Sequence, residues 1–510
     1  MPTMASRLDR REFIGAAAGA ALASCSETGP TTPRRPNVLF IFDDQLRADA
    51  CSVYGGVNIS TPNIDKLAYQ GVRFTNAWST YPLCTPYRGM LQTGRYPTHS
   101  GIFCNWTDTN TKLNERCLAH VFADGGYQTG FIGKWHLAAG ARKHEDLYVD
   151  PYDGDYAKRA EDGDPFPNPE FVPPGPSRLG YQHWEAYNFH VSFNDYWFYR
   201  DEPEKIFSDK YETDTETDQA IAYMEKHKGD SQPFFLMVAP HPPHNPFRAS
   251  HNPPGYLEKI PEELHYSPNV PEDHPRRTDP LEYRCYLSMC KNADDNVGRM
   301  LDYLDSSGLA DDTIIVFTSD HGDQHGSHNR INKMAPYNES VNVPLIVRWP
   351  GRIPSGSIRE DGYTVLDHFP TLCALAGLDA PDTLDGVDMS NAVLGGGAVD
   401  RPPALMMNYS SHWDYFQTQT LWPEWRAARD PQSTYVRWLS GEEELYDNVA
   451  DPYQMRNLAT DDLPRMNAMR GQLNDLLAEA SDEFLPGTAY AEWFDSERNL
   501  VRNAAGPVPR

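Results

Sequence analysis

Four short polar clusters stand directly behind apolar runs, and their residue types are those of a charged reaction centre. Asp43-Asp44 follows NVLFIF (37–42), and Lys134-Trp135-His136 follows YQTGFIG (127–133). His241 and His244 follow PFFLMVA (233–239), and Asp320-His321 follows TIIVFTS (313–319). Three carboxylates and one imidazole suit a hard divalent cation, Ca2+ with Mg2+ as the alternative, that takes further oxygen ligands; zinc prefers more nitrogen or sulfur. Lys134, Arg88 and Lys333 supply positive charge around such an ion, a combination that binds an oxyanion such as sulfate or phosphate. Each cluster alone reads equally well as a helix cap or a solvated loop. Their shared position behind strand-like runs argues for one site.

The stretch YPLCTPYRGMLQTGRYP (81–97) adds a nucleophile candidate. Pro86 is the kind of residue that opens a helix, so Cys84 falls near a helix N-terminus, where backbone N–H groups and the dipole favour negative charge. A thiolate there could act as a nucleophile. It is a poor partner for a Ca2+-type ion, however, and a thiol outside the cytoplasm is prone to oxidation. An oxygen nucleophile fits these surroundings better.

The scaffold follows from the pattern between the clusters. The apolar runs are continuous, as expected of strands buried on both faces. Helical patterns separate them at 63–71, 115–126, 213–229 and 290–308, the last two closed by glycine. VPLIVRWPG (343–351) predicts another strand and VLDHFPTLCALAG (365–377) another helix. The alternation predicts an α/β fold, a large mixed, mostly parallel sheet flanked by helices, and such sheets bind ligands beyond the carboxyl ends of their strands. Residues 141–205 are rich in Asp, Pro, Tyr and Trp and predict long loops over the site. Within and beside them His190, Trp197 and His241 are candidate rim contacts to substrate. Past residue 400 the texture changes. This places a catalytic domain at 37–400, a small α+β subdomain at 401–485 with a helix at 463–480, and a tail at 486–510.

The 510 residues are 39% hydrophobic and 23% charged, a globular composition long enough for a large core. A net charge of -27 argues against nucleic acid and against a polybasic membrane patch. It does not exclude an anionic substrate, because a few local cations can dominate one pocket. Residues 1–24 carry Arg10-Arg11, Phe13-Ile14 and a small-residue apolar stretch, which resembles a twin-arginine export signal. Leu22-Ala23-Ser24-Cys25 resembles a lipoprotein cleavage box with Cys25 lipidated, and residues 25–36 read as a linker. The expectation is an exported protein, periplasmic or at the cell surface, that uses the twin-arginine machinery and meets the membrane only through a lipid anchor. No later run is long and apolar enough to span a bilayer, and no C-x-x-C pair among the eight cysteines suggests zinc.

Cys84-Thr85-Pro86-Tyr87-Arg88 followed by Leu91-Gln92-Thr93-Gly94-Arg95 resembles the C-x-P-x-R … T-G-R signature of the type I, formylglycine-dependent sulfatases of the alkaline phosphatase-like superfamily. The resemblance implies that a formylglycine-generating maturation enzyme oxidises Cys84 to Cα-formylglycine, whose hydrated aldehyde is the oxygen nucleophile. It implies a metal set of Asp43, Asp44, Asp320, His321 and residue 84, with Lys134 and Lys333 on the sulfate. Arg88 would hold the nucleophile, Asp320 would help take its proton, and His244 would protonate the departing alcohol. His136 would take the second proton, so that sulfate is expelled. One departure stands out: Asn338 separates Tyr337 from Glu339, where the family has an adjacent Tyr-Glu pair after the second lysine. The activity implied is hydrolysis of sulfate monoesters, on a sulfated polysaccharide or oligosaccharide given the export leader and aromatic loops. One alternative is a phosphodiester or phosphonate monoester hydrolase of the same superfamily; the cation count favours the less charged sulfate. Another is a non-catalytic surface lipoprotein binding sulfated glycans, which would have no use for a convertible cysteine.

Overall fold

The apolar runs that end in the polar clusters lie side by side in the sheet. The computed structural model describes residues 35–105, 116–138, 170–410, 423–495 and 500–508; the leader and Cys25 lie outside the described residues. In chain order the strands are β1 (Asn37–Asp43), β2 (Val72–Trp78), β3 (Gln128–Lys134), β4 (His183–Tyr187), β5 (Trp197–Phe198), β6 (Ile206–Phe207), β7 (Phe234–Ala239), β8 (Thr313–Ser319), β9 (Leu345–Arg348) and β10 (Ser357–Thr364). Eight of them make one sheet in the order β10-β2-β9-β8-β1-β7-β3-β4, while β5 and β6 form a separate ribbon. Within the large sheet only β9 runs antiparallel, to both β2 and β8.

Alternation along β1 explains why the centre of this sheet is apolar throughout. Side chains leave a strand to opposite faces, so Val38, Phe40 and Phe42 enter one core and Leu39 and Ile41 the other. The second core is closed by α1 (Pro62–Gln70) and by the helices Glu212–His227 and Leu281–Ser307. The first is closed by α2 (Cys84–Thr93) and by the helices Leu118–Asp124 and His368–Ala376.

Register puts the carboxyl ends of the central strands level. Asp43 pairs with Ser319, and Gly133 pairs with Ala239. Gly133 takes φ 101° and lies so close to β7 that a Cβ would stand 2.5 Å from the Ala239 carbonyl oxygen, so the turn into Lys134 requires glycine. The loops beyond are tied across strands. Asp44 N–H donates to Pro240 O, Asp320 N–H to Asp43 O, and His136 N–H to Asn188 O.

Four elements differ from the sequence reading. β2 and β10 are half-exposed strands with polar residues on their outer face, so they lack the continuous apolar signal of the centre. β4 is a strand where loops were expected; it is the last strand of the large sheet, paired in parallel with β3, and Ala186 on its other side bridges Tyr199. The long helix starts at Leu281 rather than at residue 290, because Tyr283, Tyr286, Leu287 and Cys290 extend its apolar face. Residues 141–169 of the expected loop region lie outside the described residues.

The C-terminal part is a second, antiparallel sheet, β11 (Ala404–Asn408), β12 (Trp425–Arg429), β13 (Ser433–Trp438) and β14 (Glu443–Asp447), with the helix Leu463–Glu479 packed against it. Its core holds a buried ion pair, Arg426 Nε to Asp482 Oδ2 at 2.5 Å, with the guanidinium 3.6 Å from the Tyr409 ring centroid. The Tyr409 and Tyr490 hydroxyls donate to the same carboxylate. Removing one partner of such a pair strands the other charge. Asp482→Ala should therefore cost about 3–5 kcal/mol, read as a drop in the urea midpoint.

Candidate active site

The four clusters and Cys84 meet beyond the carboxyl ends of β1, β3, β7 and β8. Cys84 is the first residue of α2 and is buried. Its Sγ lies 3.1 Å from Lys333 Nζ, 3.4 Å from His321 Nε2 and 3.7 Å from Asp44 Oδ1. In the oxidised residue this is where the two oxygens of the hydrated aldehyde would stand. The start of α2 is pinned by Thr85, whose N–H donates to Asn105 Oδ1 and whose hydroxyl donates to His136 O. One helical turn on, Arg88 sends Nη1 to Lys134 O at 2.5 Å and Nη2 to Asp44 Oδ2 at 3.1 Å. Its guanidinium rests 4.8 Å from the Phe42 ring centroid.

Asp44, Cys84, Asp320 and His321 each offer one donor atom, and these atoms lie within 4.8 Å of one another. His321 Nδ1–H donates to Gly322 O, which leaves Nε2 as a lone-pair donor facing Cys84 and the aspartates. Asp43 is buried beside them, and its Oδ2 has no hydrogen-bond partner among the described residues. The carboxylates crowd one another. Burial, then the charges of Asp320 and Asp44, push Asp43 well above the usual carboxylate range. Burial and Asp44 push Asp320 up to about 7. Burial would raise Asp44 too, but Lys134, His244, Lys333 and Arg88 outweigh it and hold that carboxyl well below its ordinary value. Three buried aspartates, an orphaned oxygen and a bare imidazole nitrogen are the donor set of a hard divalent cation, so the residues fit the ion the sequence implied.

Opposite the carboxylates stand the groups suited to an anion. Lys134 Nζ donates to Asp44 Oδ2 at 2.5 Å and sits 4.7 Å from the Phe189 ring centroid. Burial depresses Lys134. For Lys333 the neighbouring Cys84, Asp44 and Asp320 outweigh burial and raise it. His136 packs on Phe189, 4.5 Å between ring centroids, and His241 lies 4.5 Å from His244. His244 Nδ1–H donates to Asn245 O. Burial and nearby lysine charge hold His136, His241 and His244 all well below the ordinary imidazole value.

Two expected rim contacts are corrected. His190 is fully buried: its Nε2–H donates to Trp197 O, its Nδ1 accepts from Ser192 N–H, and its ring stacks on Tyr187. Both ring nitrogens are therefore engaged inside the protein, and burial pushes its pKa down to about 3. The Trp197 indole N–H donates to Glu170, and its ring packs against His190 and the Lys205 ammonium. Trp197 keeps part of its surface exposed. His241 is also wholly buried, its Nδ1–H donating to His190 O, so it lies in the pocket wall behind His244 rather than at a rim. Two residues that sequence reasoning passed over reach the site. Gln45 contacts Lys333 and Asp320, and Asp323 contacts Gln45. Their only signal was adjacency to the acidic clusters.

A mostly parallel sheet with metal-type donors and fixed cations beyond its carboxyl edge is the architecture of alkaline phosphatase-like hydrolases. The sulfatase family model matches residues 36–378, and a model for the C-terminal region of N-sulphoglucosamine sulphohydrolase matches residues 326–483. An ulvan-active sulfatase of Formosa agariphila is 32% identical over 481 residues, covering 91% of this chain and 86% of its own. A solved structure described as a sulfatase of Bacteroides fragilis superposes with a TM-score of 0.76 at 29% identity, covering 90% of this chain and 98% of that one. A phosphonate monoester hydrolase of Agrobacterium radiobacter shares the fold at a TM-score of 0.63 and 23% identity, covering 93% of this chain and all of that one, 100%. The chain belongs to the sulfatase family and is a sulfuric ester hydrolase; a formylglycine and a divalent metal are general to that family.

Proposed function

We propose that this sulfatase removes sulfate from a sulfated polysaccharide or oligosaccharide, working with Ca2+ and with Cys84 converted to formylglycine by a maturation enzyme. The observation that carries the reading is the position of Cys84, at a helix N-terminus within hydrogen-bond reach of Lys333 and inside the donor set of Asp44, Asp320 and His321. Relatives support the substrate class: one is described as ulvan-active and another, of Bacteroides thetaiotaomicron, as an endo-4-O-sulfatase. The leader motif supports twin-arginine export to the periplasm or cell surface, with Cys25 as a lipid anchor.

Asp43, Asp44, Asp320 and His321 would hold the cation, which supplies positive charge to the sulfate and to the nucleophilic oxygen. Lys134 and Lys333 bind sulfate oxygens and offset the charge that builds during displacement. Arg88 fixes residue 84 through its helical-turn spacing and its bonds to Lys134 O and Asp44. His244 delivers a proton to the departing sugar oxygen. Its imidazole is neutral in the ligand-free pocket because burial and Lys333 disfavour the charged form. A bound sulfate ester adds negative charge beside it and raises its pKa toward the working range. His136, against Phe189, takes the second proton.

His244→Ala should lower kcat/KM on a sulfated oligosaccharide by roughly 10^2-fold or more. The loss should be much smaller for an aryl sulfate, whose leaving group departs without a proton. Equal losses on both substrates would contradict the role. The function is tested by measuring inorganic sulfate release from ulvan and glycosaminoglycan oligosaccharides, with phosphonate and phosphate esters in parallel. Sulfate release well above phosphorus-ester turnover is expected, and the reverse order would overturn the reading.

A further inference from the structure

Gln45 follows the Asp43-Asp44 pair, has no role in the steps above, and yet all its polar atoms are engaged at the site. It is fully buried, with its backbone in the left-handed region at φ 72°. Its N–H donates to Asp320 Oδ1 at 3.0 Å, and its carbonyl accepts from the Tyr286 hydroxyl at 3.1 Å. Its Oε1 accepts from Lys333 Nζ at 2.9 Å, and its Nε2 donates to Asp323 Oδ2 at 2.6 Å. Asp323 is held in turn by the His325 N–H at 2.7 Å. A carboxylate can only accept and an ammonium can only donate, so these two neighbours leave the Gln45 amide one orientation.

Lys333 needs such a guide. It stands between Asn332 and Met334, both at positive φ, on a flexible four-carbon stem with freely rotating donors. Besides Gln45 its ammonium reaches Cys84 Sγ. We propose that Gln45, oriented by Asp323, is a positioning residue that holds the Lys333 ammonium over residue 84 with a neutral acceptor, leaving the lysine charge available to the sulfate. A carboxylate at this place would pair with Lys333 and cancel that charge, and it would face Asp320 and Asp323 as a third negative group. The inference rests on the sulfatase reading for the identity of the anion.

The test uses the matured, metal-loaded full chain and four variants: Gln45→Gly, which keeps the left-handed backbone and removes the side chain, the near-isosteric Gln45→Glu, Lys333→Ala, and the Gln45→Gly/Lys333→Ala double. Inorganic sulfate affinity is measured by calorimetry, with KM and kcat for a sulfated oligosaccharide and the thermal midpoint alongside. Gln45→Gly should weaken sulfate binding about tenfold, with the larger share of the kinetic loss in KM. It should have no further effect once Lys333 is absent. Gln45→Glu should bind sulfate more weakly than Gln45→Gly despite filling the space. Additive effects of Gln45→Gly and Lys333→Ala, or wild-type sulfate affinity in Gln45→Glu, would overturn the proposal. Wild-type protein that binds sulfate with the expected coupling but turns over no sulfate ester supports the positioning role and counts against the hydrolase reading; turnover with additive losses does the opposite.

Discussion

Replacing Cys84 by serine should leave a folded protein that has lost multiple turnover of sulfate esters by at least about 10^4-fold, the scale on which enzymes lose rate when a nucleophile is removed. The fold should survive because the change is nearly isosteric and the thiol's neighbours are Lys333, His321 and Asp44 rather than an apolar packing layer. The activity should not survive. A serine hydroxyl in this pocket offers one oxygen, enough to accept a sulfo group from a substrate but without a second hydroxyl to expel it. A single slow turnover that leaves the residue-84 peptide heavier by one sulfo group is the expected trace. Steady-state rates within tenfold of the matured wild type would remove residue 84 from its role.

The second large effect concerns the cation. Asp43 is raised by burial and by the charges of Asp320 and Asp44, and Asp320 by burial and Asp44, to about 7. In the unfolded chain their protons leave near the ordinary carboxyl value of 3.8. Between those two values the folded, metal-free protein binds more protons than the unfolded one, so its stability falls as pH rises through that window. Asp44 works in the opposite sense: its lowered pKa contributes stability that is lost only as pH falls below the ordinary carboxyl value. A cation that binds the ionised trio stabilises only the folded state, by about 4 kcal/mol at a thousand times its Kd. Thermal melts with Ca2+ or with a chelator should therefore diverge as pH rises from 5 to 8, by roughly 4 °C at the upper end. Chelation should also cost turnover roughly 10^3-fold, since several kcal/mol of charge stabilisation leave with the ion. Coincident melting curves at pH 8 and undiminished turnover would show that no cation sits among these aspartates.

The parts of the structure that were legible in the sequence are those with local causes. β1, β7 and β8 announce themselves because strands buried on both faces must be apolar throughout, and the polar residues behind them are conspicuous against that background. β2 and β10 carry solvent-facing arginine, threonine and glutamate, so nothing local separates them from loops. His190 sits in an aromatic-rich string that reads alike as a sugar platform or as a wall; only its tertiary contacts with Tyr187 and Trp197 decide for the wall. The departure at Asn338 has a structural reason too. Its Oδ1 accepts from Arg429 of β12 at 2.6 Å and its Nδ2 donates to Pro452 O at 2.7 Å, so the additional residue ties the stretch after Lys333 to the C-terminal sheet. Gln45 and Asp323 were invisible for a different reason: their meaning lies in hydrogen bonds spanning 278 and 288 positions of chain.

The central claim is that residue 84 acts as an oxidised cysteine, and the mass of the peptide that carries it is the most direct measurement. From protein produced together with a formylglycine-generating enzyme, that peptide should be lighter by the difference between CH2SH and CHO, and the converted fraction should track sulfate release across preparations. A peptide that keeps its thiol in a preparation releasing sulfate at full rate would contradict the account.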